Sequence, residues 1–184
     1  MPTQQIIIFD GPDMCGKSNI AKELSNQLSI PYFKASSEHD TFLKHQDRFL
    51  NQLIYADPRV LDILKQTGHS VIFDRAYPSE WAYSALLQRK TDWGMLCALD
   101  DGYAQLSAKL IICVRKSYEG ITDDIQPKFG SDVLQEQDRL YREFADWTKL
   151  TTLVLDTSSE DIVAQTLAIR TWLSHPNAGR WSAI

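Results

Sequence analysis

Five short, nearly unbroken apolar runs punctuate the chain: IIIF at 6–9, IPYFK at 30–34, HSVIFD at 69–74, KLIICV at 109–114 and TTLVLD at 151–156. Runs of this length, apolar at consecutive positions and rich in β-branched residues, predict strands buried on both faces, as in a parallel sheet. Between them the period changes. Residues 19–28 place Ile20, Leu24 and Leu28 at helical spacing, and 41–55 carries Phe42, Phe49, Leu50, Leu53 and Ile54 on one stripe. Asp57-Pro58 supplies a cap and a first helical residue for a helix bearing Val60, Leu61, Ile63 and Leu64 and stopping at Gly68. Further helices are predicted over 78–88, 92–106, 132–150 and 159–173. Residues 115–131 lack a period and are expected to form a loop or lid, and the final HPNAGRWSAI is expected to be loosely held. The alternation predicts an α/β fold: a five-stranded parallel sheet with helices on both faces and a short lid, in a single domain over 1–184.

Ligands of such sheets collect at the carboxyl ends of the strands. The first apolar run leads directly into Gly11-x-x-x-x-Gly16-Lys17-Ser18, and a helical period follows. This is the P-loop arrangement: strand, phosphate-cradling loop, helix. Glycines let backbone N–H groups approach phosphate oxygens, Lys17 reaches the β- and γ-phosphates, and the Ser18 hydroxyl suits Mg²⁺. The residues assigned to the ATP phosphates are Gly11, Pro12, Asp13, Met14, Cys15, Gly16, Lys17, Ser18 and Asn19. The P-loop NTPase fold is therefore expected. The third run ends in Asp74, followed at once by Arg75. Asp74 at that point reaches the Mg²⁺ shell, and the fork of Arg75 suits a phosphoryl group in transit. A surface ion pair between the two is the plainer alternative. The chain has no Asn-Lys-x-Asp for a guanine base, which argues against a GTPase.

Composition narrows this only a little. The chain has 184 residues, 43% hydrophobic and 23% charged, with a net charge of −5, so it is not broadly basic as a nucleic-acid binder would be. Cys15, Cys97 and Cys113 form neither a disulfide framework nor a zinc spacing, which fits a reducing, cytoplasmic setting. Cys15, at a helix start, is expected to have a lowered pKa and to be sensitive to alkylation. His39, His45, His69 and His175 lack metal spacing. No apolar stretch is long enough for a membrane span, and no signal peptide is read at the start. Trp81, Trp147 and Trp172 fall on apolar helix faces.

The run FDRAYPSEWAYS (73–84) resembles a segment of the thymidylate kinases, with Asp74, Arg75, Ser79, Ala82 and Tyr83 matching in register, and FDGPDMCGKS (9–18) resembles the P-loop of the same family. The resemblance implies an ATP- and Mg²⁺-dependent nucleotide kinase, with a deoxypyrimidine nucleoside monophosphate (dTMP or dUMP) as the leading acceptor. It implies Lys17, Asp74 and Arg75 as catalytic residues, Ser18 and Asp74 at the metal, and Asp13, Lys34, Ser79 and Tyr83 around the acceptor. Glu38 stands near the place where related deoxynucleoside kinases carry a proton-accepting carboxylate; a solvated acid is the plainer reading. Dimers are common in the resembled family. Three departures stand out. Ser84 replaces a base-contacting Gln, Lys34-Ala35-Ser36 replaces Arg-Glu-Pro, and the lid offers only Arg115, Lys116 and Lys128 among the acids Glu119, Asp123 and Asp124. These leave room for two alternatives. One is a phage-type kinase acting on the hydroxymethyl group of 5-hydroxymethyluracil in DNA. The other is a nucleotide-binding ATPase or regulator without a small acceptor.

Overall fold

A computed structural model describes residues 4–35, 58–121, 130–175 and 181–183. The helix predicted over 41–55, Glu38, and the central part of the lid with Asp123, Asp124 and Lys128 lie outside the described residues.

The predicted elements follow in order: β1 (Ile6–Asp10), α1 (Lys17–Leu28), β2 (Tyr32–Lys34), α2 (Pro58–Thr67), β3 (Val71–Asp74), α3 (Tyr77–Leu86), α4 (Trp93–Gln105), β4 (Lys109–Val114), α5 (Ser131–Trp147), β5 (Thr151–Asp156) and α6 (Ile162–Leu173). One element is added. Residues Trp181–Ala183 form β6, a strand where the sequence predicted a loose tail. All pairings are parallel, and the strand order is β2-β3-β1-β4-β5-β6. The tail's polar residues and glycine hid a three-residue strand because main-chain bonds to β5, rather than an apolar period, define it.

β1 lies in the middle of the sheet and is buried at every position. Side chains alternate across a strand, and the two halves of its apolar run feed two cores. Ile6 and Ile8 pack with Leu110, Ile112 and Val114 of β4 and with α2 to α5, through Leu61, Tyr77, Leu96, Tyr103 and Phe144. Ile7 and Phe9 pack on the other face with Ile111 and Cys113, against Ile20 and Leu24 of α1 and Ile169 and Trp172 of α6. Trp172 is thus a core residue. Trp81 forms an aromatic cluster with Trp93, Phe144 and Trp147, but Trp93 and Trp147 stay partly exposed.

Buried polar side chains pin α3 and α4 in place. Glu80 accepts from Arg89 at 3.1 and 2.9 Å and from Thr91 at 3.1 Å. The Tyr77 hydroxyl donates to Asp100 at 2.7 Å, and Asp100 also accepts the Lys149 N–H at 2.9 Å. These bonds fix the helix that carries Ser79 and Tyr83 toward the carboxyl ends of β1 and β3.

Candidate active site

Parallel neighbours β3, β1 and β4 end side by side, so the loops after Asp10, Asp74 and Val114 share one mouth. The chain reverses after β1 at Gly11, with φ +143°; a Cβ there would stand 2.2 Å from the Cys113 carbonyl oxygen. Only glycine lets the loop pass so close to β4. Gly16, with φ +77°, caps α1 without any side-chain hydrogen bond, and no acidic residue occupies the helix's first turn. The amides at this helix start are therefore presented to an anion rather than consumed by a cap. Lys17 is buried and folds back so that its Nζ donates to the Pro12 carbonyl at 2.9 Å. Met14 is exposed at the crest of the loop.

Cys15 has the lowered pKa expected of it but not the expected access. It is fully buried, and its pKa is lowered to about 7; burial opposes the shift, and a hydrogen bond from Cys113 together with the charge of Lys17 outweighs it. Burial removes the alkylation sensitivity predicted from the helix start. The loop is fastened from behind by Thr157, whose hydroxyl donates to the Cys15 carbonyl at 2.7 Å.

Asp74 is fully buried at the end of β3. Its Oδ2 accepts from the Tyr32 hydroxyl at 2.6 Å, and its Oδ1 has no hydrogen-bond partner. An unpaired buried carboxylate oxygen is costly, and a cation at the loop would relieve it. With the half-buried Ser18 on α1, this donor set fits Mg²⁺, which takes one or two protein oxygens and completes its shell with phosphates and water. Among the described residues no group of three or more His, Cys, Asp or Glu side chains is gathered to hold a metal.

Arg75 is not paired with Asp74. Its φ is +73°, the left-handed region, and its N–H continues the ladder to the Phe9 carbonyl at 2.8 Å. That sharp turn, worth about 1–3 kcal/mol of strain in a non-glycine residue, throws the guanidinium back over β1. Nη1 lies 3.4 Å from Asp10 Oδ1, 3.3 Å from the Gly11 carbonyl, 3.2 Å from Ser79 Oγ and 3.1 Å from the Tyr141 hydroxyl. Nη2 is paired with Asp13 Oδ1, and the guanidinium also lies over the Tyr83 ring, 5.4 Å from its centroid. Ser79 is fully buried and donates to Asp10 at 2.8 Å. It supports the network from beneath rather than facing an acceptor.

Asp10, Gln137 and Tyr141 are the members of this cluster that sequence reasoning missed. Asp10 accepts the N–H groups of Gly11 at 3.0 Å and Ala76 at 3.2 Å besides Ser79 and Arg75, tying the P-loop to the β3 turn. The signal was present: Asp10 ends an apolar run as Asp74 does. Gln137 and Tyr141 stand four residues apart on α5, within its buried stripe of Leu134, Leu140 and Phe144. The Gln137 amide oxygen accepts the Asp13 N–H at 2.8 Å and its nitrogen donates to Asp13 Oδ2 at 3.2 Å. Polar residues inside an apolar helical stripe were the available clue.

The two carboxylates on Arg75 are tuned oppositely. Burial pushes the Asp10 carboxyl up, against the charges of Arg75 and Lys17. Burial acts on Asp13 as well, but Arg75 and Lys17, with hydrogen bonds from Tyr83 (2.6 Å) and Gln137, hold it down at about 2. Of the two, only Asp13 is open to the mouth, with its side chain 21% exposed against 0% for Asp10.

Lys34 is exposed at the end of β2, in register with Asp74. Beyond β4, the Arg115 guanidinium donates to Glu160 at 2.8 Å and Lys116 lies 3.4 Å from Asp156. Arg139 pairs with Glu136 and Glu143 on the exposed face of α5, and Arg142 with Asp138.

No protein-family model and no curated protein matches the chain. Solved structures do. A YorR protein from Bacillus subtilis in complex with phosphorylated GDP is 22% identical, with a TM-score of 0.63 over 93% of this chain and 98% of that one. A deoxyadenosine kinase from M. mycoides, with dCMP and dCDP bound, is 20% identical, with a TM-score of 0.61 over 92% and 98%. The chain shares its fold with these structures. A thymidylate kinase from Ehrlichia chaffeensis shares it at 18% identity and a TM-score of 0.62, over 94% of this chain and the whole of that one. No helix among the described residues is long and apolar enough to cross a membrane.

Proposed function

We propose that the protein is a Mg²⁺-dependent phosphotransferase that moves the γ-phosphoryl group of ATP to an acceptor oxygen on a nucleoside or nucleotide. The observation that carries this reading is the partnerless, buried Oδ1 of Asp74 at the strand end beside a P-loop with an uncapped helix. The loop amides and Lys17 hold the donor phosphates, and Lys17 exchanges the Pro12 carbonyl for a phosphate oxygen as it does so. Ser18 and Asp74 would hold Mg²⁺, which when bound neutralises charge on the β- and γ-phosphates. Arg75, fixed between β1, α3 and α5, faces the line of transfer and stabilises charge that develops there. Nothing in this arrangement needs a covalent enzyme intermediate. Catalysis rests on positioning and charge.

The kinase folds with deoxyadenosine and thymidylate in their names support a deoxynucleoside-based acceptor. A pyrimidine preference rests on the sequence resemblance alone. The Ser84 hydroxyl, at the position of the resembled family's base-contacting Gln, donates to the Trp81 carbonyl in its own helix.

The test is transfer of a γ-labelled phosphate from ATP to a panel of nucleosides and nucleotides, with products separated by chromatography. Label is expected on at least one acceptor. Lys17→Ala should reduce transfer by about 10²–10³-fold, the usual cost of deleting one preorganised charge-stabilising donor. Steady ATP hydrolysis that no acceptor stimulates would count against the reading.

A further inference from the structure

Asp10 is closed off from the mouth, yet it joins three parts of the site. It ends β1, is fully buried, and gathers four donor groups around two oxygens. Oδ1 accepts the Gly11 N–H at 3.0 Å, where the phosphate loop begins, and the Ser79 hydroxyl of α3 at 2.8 Å; Arg75 Nη1 stands 3.4 Å from it. Oδ2 accepts the Ala76 N–H at 3.2 Å. These contacts bear on Arg75 at both ends. Its left-handed φ of +73° strains a non-glycine residue and persists only where the surroundings over-determine it. The Arg75 N–H is held by the Phe9 carbonyl and the next amide, that of Ala76, by Asp10. At the head of the side chain Ser79 relays the same carboxylate, because its hydroxyl donates to Asp10 while its oxygen accepts from Nη1 at 3.2 Å.

Resting on the proposed phosphotransferase activity, we infer that Asp10 is a positioning residue of the transfer step. It sets the Arg75 guanidinium on the transferring group and leaves donor binding to the phosphate loop. The division follows from the contacts. Within the loop Asp10 holds the Gly11 N–H, whereas Lys17 is held by the Pro12 carbonyl and the Cys15 carbonyl by Thr157. A charge-stabilising group misplaced by about 1 Å costs up to about 10²-fold in rate, with no need for ATP to bind more weakly. Asparagine has the shape of Asp10 but one acceptor where two are used. Its amide nitrogen must face donors, either the Ala76 N–H on one side or the Gly11 N–H and Nη1 on the other. One choice loosens the strained turn and the other repels the guanidinium, so both displace Arg75.

The experiment uses the full chain with Mg²⁺ and γ-labelled ATP, offered the deoxynucleosides and their 5′-monophosphates; the acceptor that the native protein labels fastest serves for the variants. Asp10→Asn should lower kcat at least tenfold and change the KM for ATP less than threefold. In an Arg75→Ala background the same substitution should cost less than a further threefold in kcat, because the group it positions is gone. A smaller loss in the native background, a matching loss of ATP affinity, or a threefold or greater further loss without Arg75 each overturns the inference and leaves the phosphotransferase reading intact. Ser79→Ala breaks the relay and keeps the carboxylate. It should lower kcat at least threefold with the KM for ATP unchanged within threefold, and a native kcat overturns the relay. A native protein that labels no acceptor overturns the activity and the inference together. The placement of the side chain has a readout of its own, the rotation rate of the Arg75 guanidinium in protein carrying ¹⁵N-arginine, its signals assigned by their loss in Arg75→Ala. Asp10→Asn should speed that rotation at least tenfold, and a smaller change overturns Asp10 as what holds Arg75.

Discussion

The loop at 11–18 and the cluster around Arg75 meet at the same end of the sheet, yet one is made of backbone and the other of side chains. The loop offers mainly amides, aimed by two glycines and the start of α1, with Lys17 tied back onto it and Asp13 turned out of it toward Arg75. The cluster is assembled from β1, β3, α3 and α5, through Asp10, Arg75, Ser79, Tyr83, Gln137 and Tyr141. A main-chain cradle fits any polyphosphate, because all such donors present the same oxygens. A side-chain cluster drawn from four elements is the part that can differ when one fold serves several reactions.

Arg75→Ala should separate the two regions most sharply. It removes the charge proposed to meet the transferring group, for which losses of 10³-fold or more are usual, and it takes from Asp10 and Asp13 the cation they are paired with. Transfer should fall at least about 10³-fold and thermal stability should fall with it, whereas binding of an ATP analogue, read by fluorescence titration, should change less than tenfold. Equal losses on the donor side would show that the two regions are one. Gln137→Leu is a gentler probe of their connection. It leaves the Asp13 N–H and carboxylate short of partners, at about 1–3 kcal/mol by denaturant unfolding. The KM for the acceptor should rise more than the KM for ATP.

The smallest effects are electrostatic. Asp13 titrates at about 2 in the folded chain against an ordinary 3.8. Its contribution to stability, about 2 kcal/mol, is therefore present above pH 4 and is lost as pH falls toward 2. The stability difference between the native protein and Asp13→Asn, followed through unfolding midpoints, should shrink over that window. Asp10 carries the opposite sign. Its raised pKa favours the protonated form in the fold, so its contribution is present at low pH and is lost as pH rises past the raised value. For Asp10→Asn the same difference should grow on acidification. Identical acid limbs for the two variants would refute the asymmetry drawn from the structure.

The same division explains what could be read before folding was known. A backbone motif is local: glycine spacing, a preceding apolar run and a following helical period lie within about two dozen residues, and the strands at 109–114 and 151–156 were delimited to the residue. The Arg75 cluster depends on pairings 62 to 70 residues apart and, through Gln137, on one of 124. Arg75, Asp13, Ser79 and Tyr83 were singled out, but Asp10, Gln137, Tyr141 and the pairing itself were not, because periodicity says which face a residue occupies and not what stands opposite. Ser79 illustrates the cost. Its place in the chain suggested an acceptor contact, and burial behind Arg75 makes it a support for Asp10. The aromatic cluster around Trp81 was ambiguous for the same reason, since a half-exposed helix face and a core face share one period.

β6 has a consequence for how the chain is made. It pairs with β5 through residues 181–183, which leave the ribosome after every other strand of the sheet. Until then the outer edge of β5 offers unsatisfied amides and carbonyls to any neighbouring chain, the usual route to intermolecular strand pairing. A nascent chain halted before residue 181 would hold both cores, the phosphate loop and the Arg75 cluster, yet carry an open edge. Truncations in this tail should therefore show up first as lower soluble yield at high expression, with the surviving monomer still able to bind nucleotide.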